Sequence, residues 1–111
     1  MQITDLVFIG TKSKVAALHK GTGQIKWETF LTSGLGTGFV TLLVDGPLLF
    51  AHTCGHLFCL NALTGEKLWN NELPGFGYGL ASLATATVSA SPVPQAYQEQ
   101  AEQSTAAAAA G

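Results

Sequence analysis

The residues best suited to chemistry are crowded into one short stretch, His52-Thr53-Cys54-Gly55-His56-Leu57-Phe58-Cys59. Two imidazoles and two thiols within eight positions are the side chains that zinc prefers. Their spacing matches no zinc-finger pattern, and local geometry sets them against one another. A two-residue turn at Cys54-Gly55 would pair Thr53 with His56 and His52 with Leu57 across a hairpin. Strand alternation then puts His52 and Cys59 on one face and His56 on the other, so one ion does not easily gather all four. The expectation is no metal site, a buried Cys59 and surface histidines. A nucleophile pair from Cys54 with His52 or His56 has no orienting carboxylate and no oxyanion partner nearby. No catalytic residue is assigned.

A second candidate is Gly34-Leu35-Gly36-Thr37-Gly38, which looks like a phosphate-binding loop. It departs from G-x-G-x-x-G and leads into a run of strand type, where a dinucleotide fold needs a helix. Its echo at Gly75-Phe76-Gly77-Tyr78-Gly79 marks it as a recurring connection.

That echo belongs to a larger duplication. Val7–Leu31 slides onto Leu49–Leu73 at an offset of 42 residues with seven identities, Phe8/Phe50, Thr11/Thr53, Leu18/Leu60, Thr22/Thr64, Gly23/Gly65, Trp27/Trp69 and Leu31/Leu73. Both tryptophans of the chain are among them. A period near 40 residues is the sign of a repeat architecture.

The elements that carry these residues are short runs of Val, Leu, Phe and Thr between turn signals, of strand length. Strands are expected at Leu6–Thr11, Lys14–His19 and Gln24–Leu31, with turns at Lys12-Ser13 and Gly21-Thr22-Gly23. The second copy supplies Pro47–Thr53, His56–Ala62 and Glu66–Leu73, preceded by Gly38–Asp45. A third unit begins with one strand at Leu80–Thr85. The domain division is then 1–84 for two repeats (about 5–33 and 38–74) with the start of a third at 80–84. An Ala/Gln/Ser/Pro tail follows over 85–111. That tail lacks an apolar face to bury and is expected to be mobile.

Composition bounds the rest. The 111 residues carry 11% charged side chains and a formal charge of −2, with no basic run, so neither nucleic acid nor an anionic membrane is an expected partner. The first ten residues do not form a secretory signal, no apolar run is long enough for a spanning helix, and two cysteines do not make a disulfide framework. Cytosol is the default compartment.

Four antiparallel strands per unit, with one Trp near the end of the last, suit a β-propeller blade. The text Leu60-Asn61-Ala62-Leu63-Thr64-Gly65-Glu66-Lys67-Leu68-Trp69 resembles the pyrroloquinoline-quinone (PQQ) repeat, and Leu18 to Trp27 is a weaker copy that keeps Thr, Gly and Trp. His19 and Asn61 stand where the pattern prefers Asp. The resemblance implies an all-β partial propeller of about two blades and a structural blade-docking motif of Thr22, Gly23, Trp27, Thr64, Gly65 and Trp69. Each indole would dock against the Thr-Gly turn of an adjacent blade; the alternative is that each is simply a core aromatic. Trp69 is expected to be buried, and its truncation to Ala to cost about 3–5 kcal/mol.

Two blades do not close a ring. Either the strand at Leu80–Thr85 is lent to a second chain, giving a homo-oligomer, or the blades belong to a longer propeller. Quinoprotein dehydrogenases resemble this repeat but use adjacent cysteines, a catalytic Asp and carboxylate or amide calcium ligands. Cys54 and Cys59 are not adjacent, and Asp5 and Asp45 sit at strand or turn ends. No cofactor is therefore expected; PQQ with calcium enters only if the chain is a piece of a quinoprotein oxidoreductase. The expected function is a non-catalytic scaffold or binding module for a protein or small ligand. Sugar binding on exposed tryptophans is a further option, in conflict with their docking role.

Overall fold

A computed structural model describes residues 1–32 and 39–90. Nine strands follow a single 3-10 turn at Ile3–Asp5: β1 Leu6–Thr11, β2 Lys14–His19, β3 Ile25–Phe30, β4 Thr41–Asp45, β5 Leu48–Thr53, β6 His56–Asn61, β7 Lys67–Asn71, β8 Leu83–Ala84 and β9 Ser89–Ala90. They form antiparallel meanders in the order β1-β2-β3, β4-β5-β6-β7 and β8-β9. The fold of the described residues is all-β, as the repeat implies.

The two larger sheets are copies in detail. Both hairpin tips use two consecutive residues with positive φ, Lys12 (52°) and Ser13 (57°) in the first, Cys54 (51°) and Gly55 (78°) in the second. This is the primed turn that matches strand twist in a two-residue hairpin. Both second hairpins carry a register shift at the same place, between Ala17 and Leu18 and between Cys59 and Leu60. The Thr-Gly turns agree equally well. Gly23 donates its N–H to the His19 carbonyl at 2.7 Å, and Gly65 does the same to Asn61 at 2.7 Å. The Thr22 and Thr64 hydroxyls accept from Gln24 and Glu66 N–H, each at 3.3 Å.

Register assigns the faces. Phe8, Ala17 and Trp27 are cross-strand neighbours in the first sheet, and Phe50, Cys59 and Trp69 are their counterparts in the second. The first sheet turns its Phe8–Trp27 face toward the second. The core between the sheets contains Val15, Leu31, Val40, Leu49, Ala51, Phe58, Leu60 and Ala62, with Phe8, Trp27, Leu42 and Val44 packed against it. Gly10 is required there, since a Cβ would lie 2.8 Å from Val40 Cβ.

Several expectations need correction. The first unit has three strands and the second four, as expected, and β1 and β2 keep their expected bounds; the other five are trimmed by a residue or more, β7 ending at Asn71 and not at Leu73. Leu73 has φ 48°, outside the strand region. The strand expected at Leu80–Thr85 shrinks to Leu83–Ala84. It pairs with Ser89–Ala90, inside the stretch read as tail. Thr85 closes that hairpin, its hydroxyl accepting from Val88 N–H at 3.2 Å. The Gly34–Gly38 loop and the part of the tail from residue 91 onward lie outside the described residues.

Candidate blade-docking site and the histidine–cysteine hairpin

Trp27 reaches across to the second sheet's Thr-Gly turn. Its indole N–H donates to the Ala62 carbonyl at 3.2 Å. The ring lies over Gly65, where an added Cβ would come within 2.6 Å of Trp27 Cδ2 and 2.8 Å of Thr29 Oγ1. Gly65 also has φ 81°, so two independent constraints select glycine there. Thr29, two residues beyond Trp27 on the same face, donates its hydroxyl to the Gly65 carbonyl at 2.6 Å. Lys67 Nζ donates to the Leu31 carbonyl at 3.5 Å, a looser contact at the rim. Phe8 supports the indole from behind, with ring centroids 6.1 Å apart. Of the six motif residues, Trp27 and Gly65 thus meet at one joint, and Thr64 bonds only within its own turn. Thr29 belongs to the same joint and was missed from the sequence. Its counterpart is Asn71, so identity between the copies gave no signal.

Trp69, Thr22 and Gly23 are not brought together. Trp69 keeps the same backing, 6.1 Å from the Phe50 centroid, yet is 47% exposed. Around Gly23 nothing lies within 4 Å of an added Cβ. Trp69 is therefore not buried as its 3–5 kcal/mol expectation assumed; that cost belongs to Trp27.

In the chemically suggestive hairpin, the pairs are His52 with Leu57 and Thr53 with His56. Cys59 is fully buried, and burial pushes its thiol pKa up. His52 is buried as well, contrary to the surface position expected of it. Burial, then the neighbouring His56 charge, pulls its pKa below the ordinary 6.5. His56 is half-buried and stacks on Phe58 at 6.0 Å. Cys54 Sγ lies 3.7 Å from the Ser13 hydroxyl, so the two hairpin tips touch. Among the described residues no three His, Cys, Asp or Glu side chains are grouped to hold an ion.

A cleft of ≈ 510 Å³ opens where the loop after β7 folds over the Cys54-Gly55 tip, lined by His56, Glu72, Leu73, Pro74 and Tyr78 among others. A tricarboxylate quinone asks for cationic or donor groups around its rim and carboxylate ligands for a companion calcium. The cleft offers one carboxylate, and no lysine lines it. The lining of that cleft does not fit the group.

Comparison with known proteins places the joint in context. A sequence family described as outer membrane protein assembly factor BamB, built of PQQ-like repeats, matches residues 6–105. The quinoprotein ethanol dehydrogenase of Pseudomonas aeruginosa is 36% identical over 81 residues, covering 59% of this chain and 13% of that enzyme. The chain thus spans about an eighth of the length of the curated relative it matches. With antiparallel units of three and four strands, a repeated Thr-Gly turn and a Trp laid across the neighbouring turn, the chain belongs to the PQQ-like repeat family of β-propeller proteins.

Proposed function

We propose that this chain is a non-catalytic propeller scaffold or binding module. One observation carries the proposal: Trp27 and Gly65, two of the residues repeated between the copies, hold the two sheets together, with Trp27 hydrogen-bonded to Ala62 and laid on Gly65. Side chains spent on that joint are structural, and fold membership alone implies no chemistry. The family description, which names an assembly factor, agrees with a role in binding.

The second reading is a piece of a PQQ-dependent quinoprotein oxidoreductase, favoured by the similarity to the quinoprotein ethanol dehydrogenase. Adding PQQ and calcium to the full chain separates the two. The scaffold reading expects no saturable change in quinone absorbance and no dye-linked ethanol oxidation. Stoichiometric quinone binding that depends on calcium, or turnover, overturns it.

A further inference from the structure

The joint between the sheets exists once as a closed contact and once as two open halves. The closed contact is Trp27 on Gly65. Its receiving face is the second sheet's Leu49, Ala51, Leu60 and Ala62, all fully buried. Subtracting the 42-residue period gives the same face on the first sheet: Val7, Ile9, Leu18 and Lys20 beside Gly23. Here Val7 is 51% and Ile9 52% exposed. The inserting half, Phe50 with Trp69, is open on the other side of the molecule.

Both halves are already in their docked form. Gly23 has φ 77° against 81° for Gly65, and both turns are closed by the same pair of backbone bonds, Gly23 to His19 and His19 to Gln24 in one, Gly65 to Asn61 and Asn61 to Glu66 in the other. Lys20 and Ala62 are held alike, their N–H groups donating to Asp5 and Pro47 carbonyls at 2.9 Å. The Lys20 carbonyl is therefore in place for an indole N–H, while the lysine stem can lie along the ring with its ammonium in water. Trp69 has no hydrogen-bond partner for its indole N–H among the described residues. The β8–β9 hairpin packs on β4, the strand furthest from Trp69 in its sheet, and leaves the indole open.

We infer that the chain associates head to tail with further copies of itself, the Trp69–Phe50 face of one copy seating on the Thr22-Gly23 turn and the Val7–Ile9 face of the next. This deepens the scaffold reading by naming its partner and rests on that reading's joint, though not on the absence of quinone chemistry. The contact is heterologous, and repeating it either closes a ring or grows a filament. Three or four copies would give six or eight blades, within the usual range for a propeller.

Native mass spectrometry and light scattering on the full chain, from micromolar to submillimolar concentration, test the inference. The wild type should form discrete multiples of the chain mass. Trp69→Ala should weaken association about thirtyfold or more, as loss of a buried aromatic anchor does. Gly23→Asn should do the same by filling the slot, since Asn accepts positive φ and its Cβ meets nothing within the isolated chain. Each variant alone should be monomeric, yet a mixture should give a one-to-one heterodimer joined by the single intact Trp69–Gly23 interface. Circular dichroism of each variant at low concentration, unchanged from wild type, separates lost association from lost folding. A monomeric wild type, assembly indifferent to Gly23→Asn, or variants that do not complement overturns the inference. Quinone binding by a chain that still complements in this way would sink only the scaffold reading.

Discussion

The two turns share Thr, Gly and a closely similar backbone but have different surroundings. Gly65 lies under an indole and is buried, whereas Gly23 faces open space. Trp27 and Trp69 differ in the same way, although each is backed by a phenylalanine at 6.1 Å. A repeat unit therefore builds its half of the joint locally, through turn hydrogen bonds and cross-strand pairs, and only the neighbouring unit decides whether that half becomes core. Stability resides between units, as expected of modules that cannot bury both faces alone.

The comparison breaks most visibly at the tryptophans. Trp27→Ala should destabilise the chain by about 3–5 kcal/mol in urea unfolding, the range for removing a packed aromatic. Trp69→Ala at the same low concentration should cost under about 1 kcal/mol, as for an exposed position. Equal costs would abolish the distinction between the two copies.

The glycines come next. Gly65→Ala combines positive φ with overlap against the Trp27 ring and should cost about 3 kcal/mol. Gly23→Ala meets only the backbone penalty, about 1 kcal/mol. Thermal unfolding of the pair resolves a difference of that size. Thr29→Val, which removes the 2.6 Å bond to the Gly65 carbonyl, should cost about 1 kcal/mol, and the effect should largely vanish in a Trp27→Ala background because the two side chains share one joint.

The smallest effect concerns pH. His52 has a folded pKa below its ordinary 6.5, so the unfolded chain binds more protons as the solution acidifies. Its contribution is complete above that value and is lost as pH falls through 6.5 toward the folded pKa. Denaturation midpoints measured at pH 7.5 and 5.5 should differ, and His52→Gln should flatten the difference. An unchanged slope in the variant would assign it to other groups.

Much of this was legible in the sequence. The offset of 42 residues, the hairpins at Lys12-Ser13 and Cys54-Gly55, and the separation of His52 from His56 all follow from short-range pattern, because alternation and turn chemistry act over a few residues. The β8–β9 hairpin was not legible: two-residue strands of Leu-Ala and Ser-Ala carry no alternation, and only the Thr85 turn hints at them. Thr29 was hidden because the second copy has Asn71 there. The burial of His52 and the exposure of Trp69 were hidden for another reason. Both depend on what covers a sheet face, and that information lies outside the residues concerned.

The most direct test of the joint is acrylamide quenching of tryptophan fluorescence in two single-tryptophan chains, Trp69→Phe and Trp27→Phe, at high dilution. The account predicts that Trp27 in the first chain emits further to the blue and is shielded, while Trp69 in the second is quenched markedly more readily. Equal quenching of the two, or a shielded Trp69 at dilution, would contradict it.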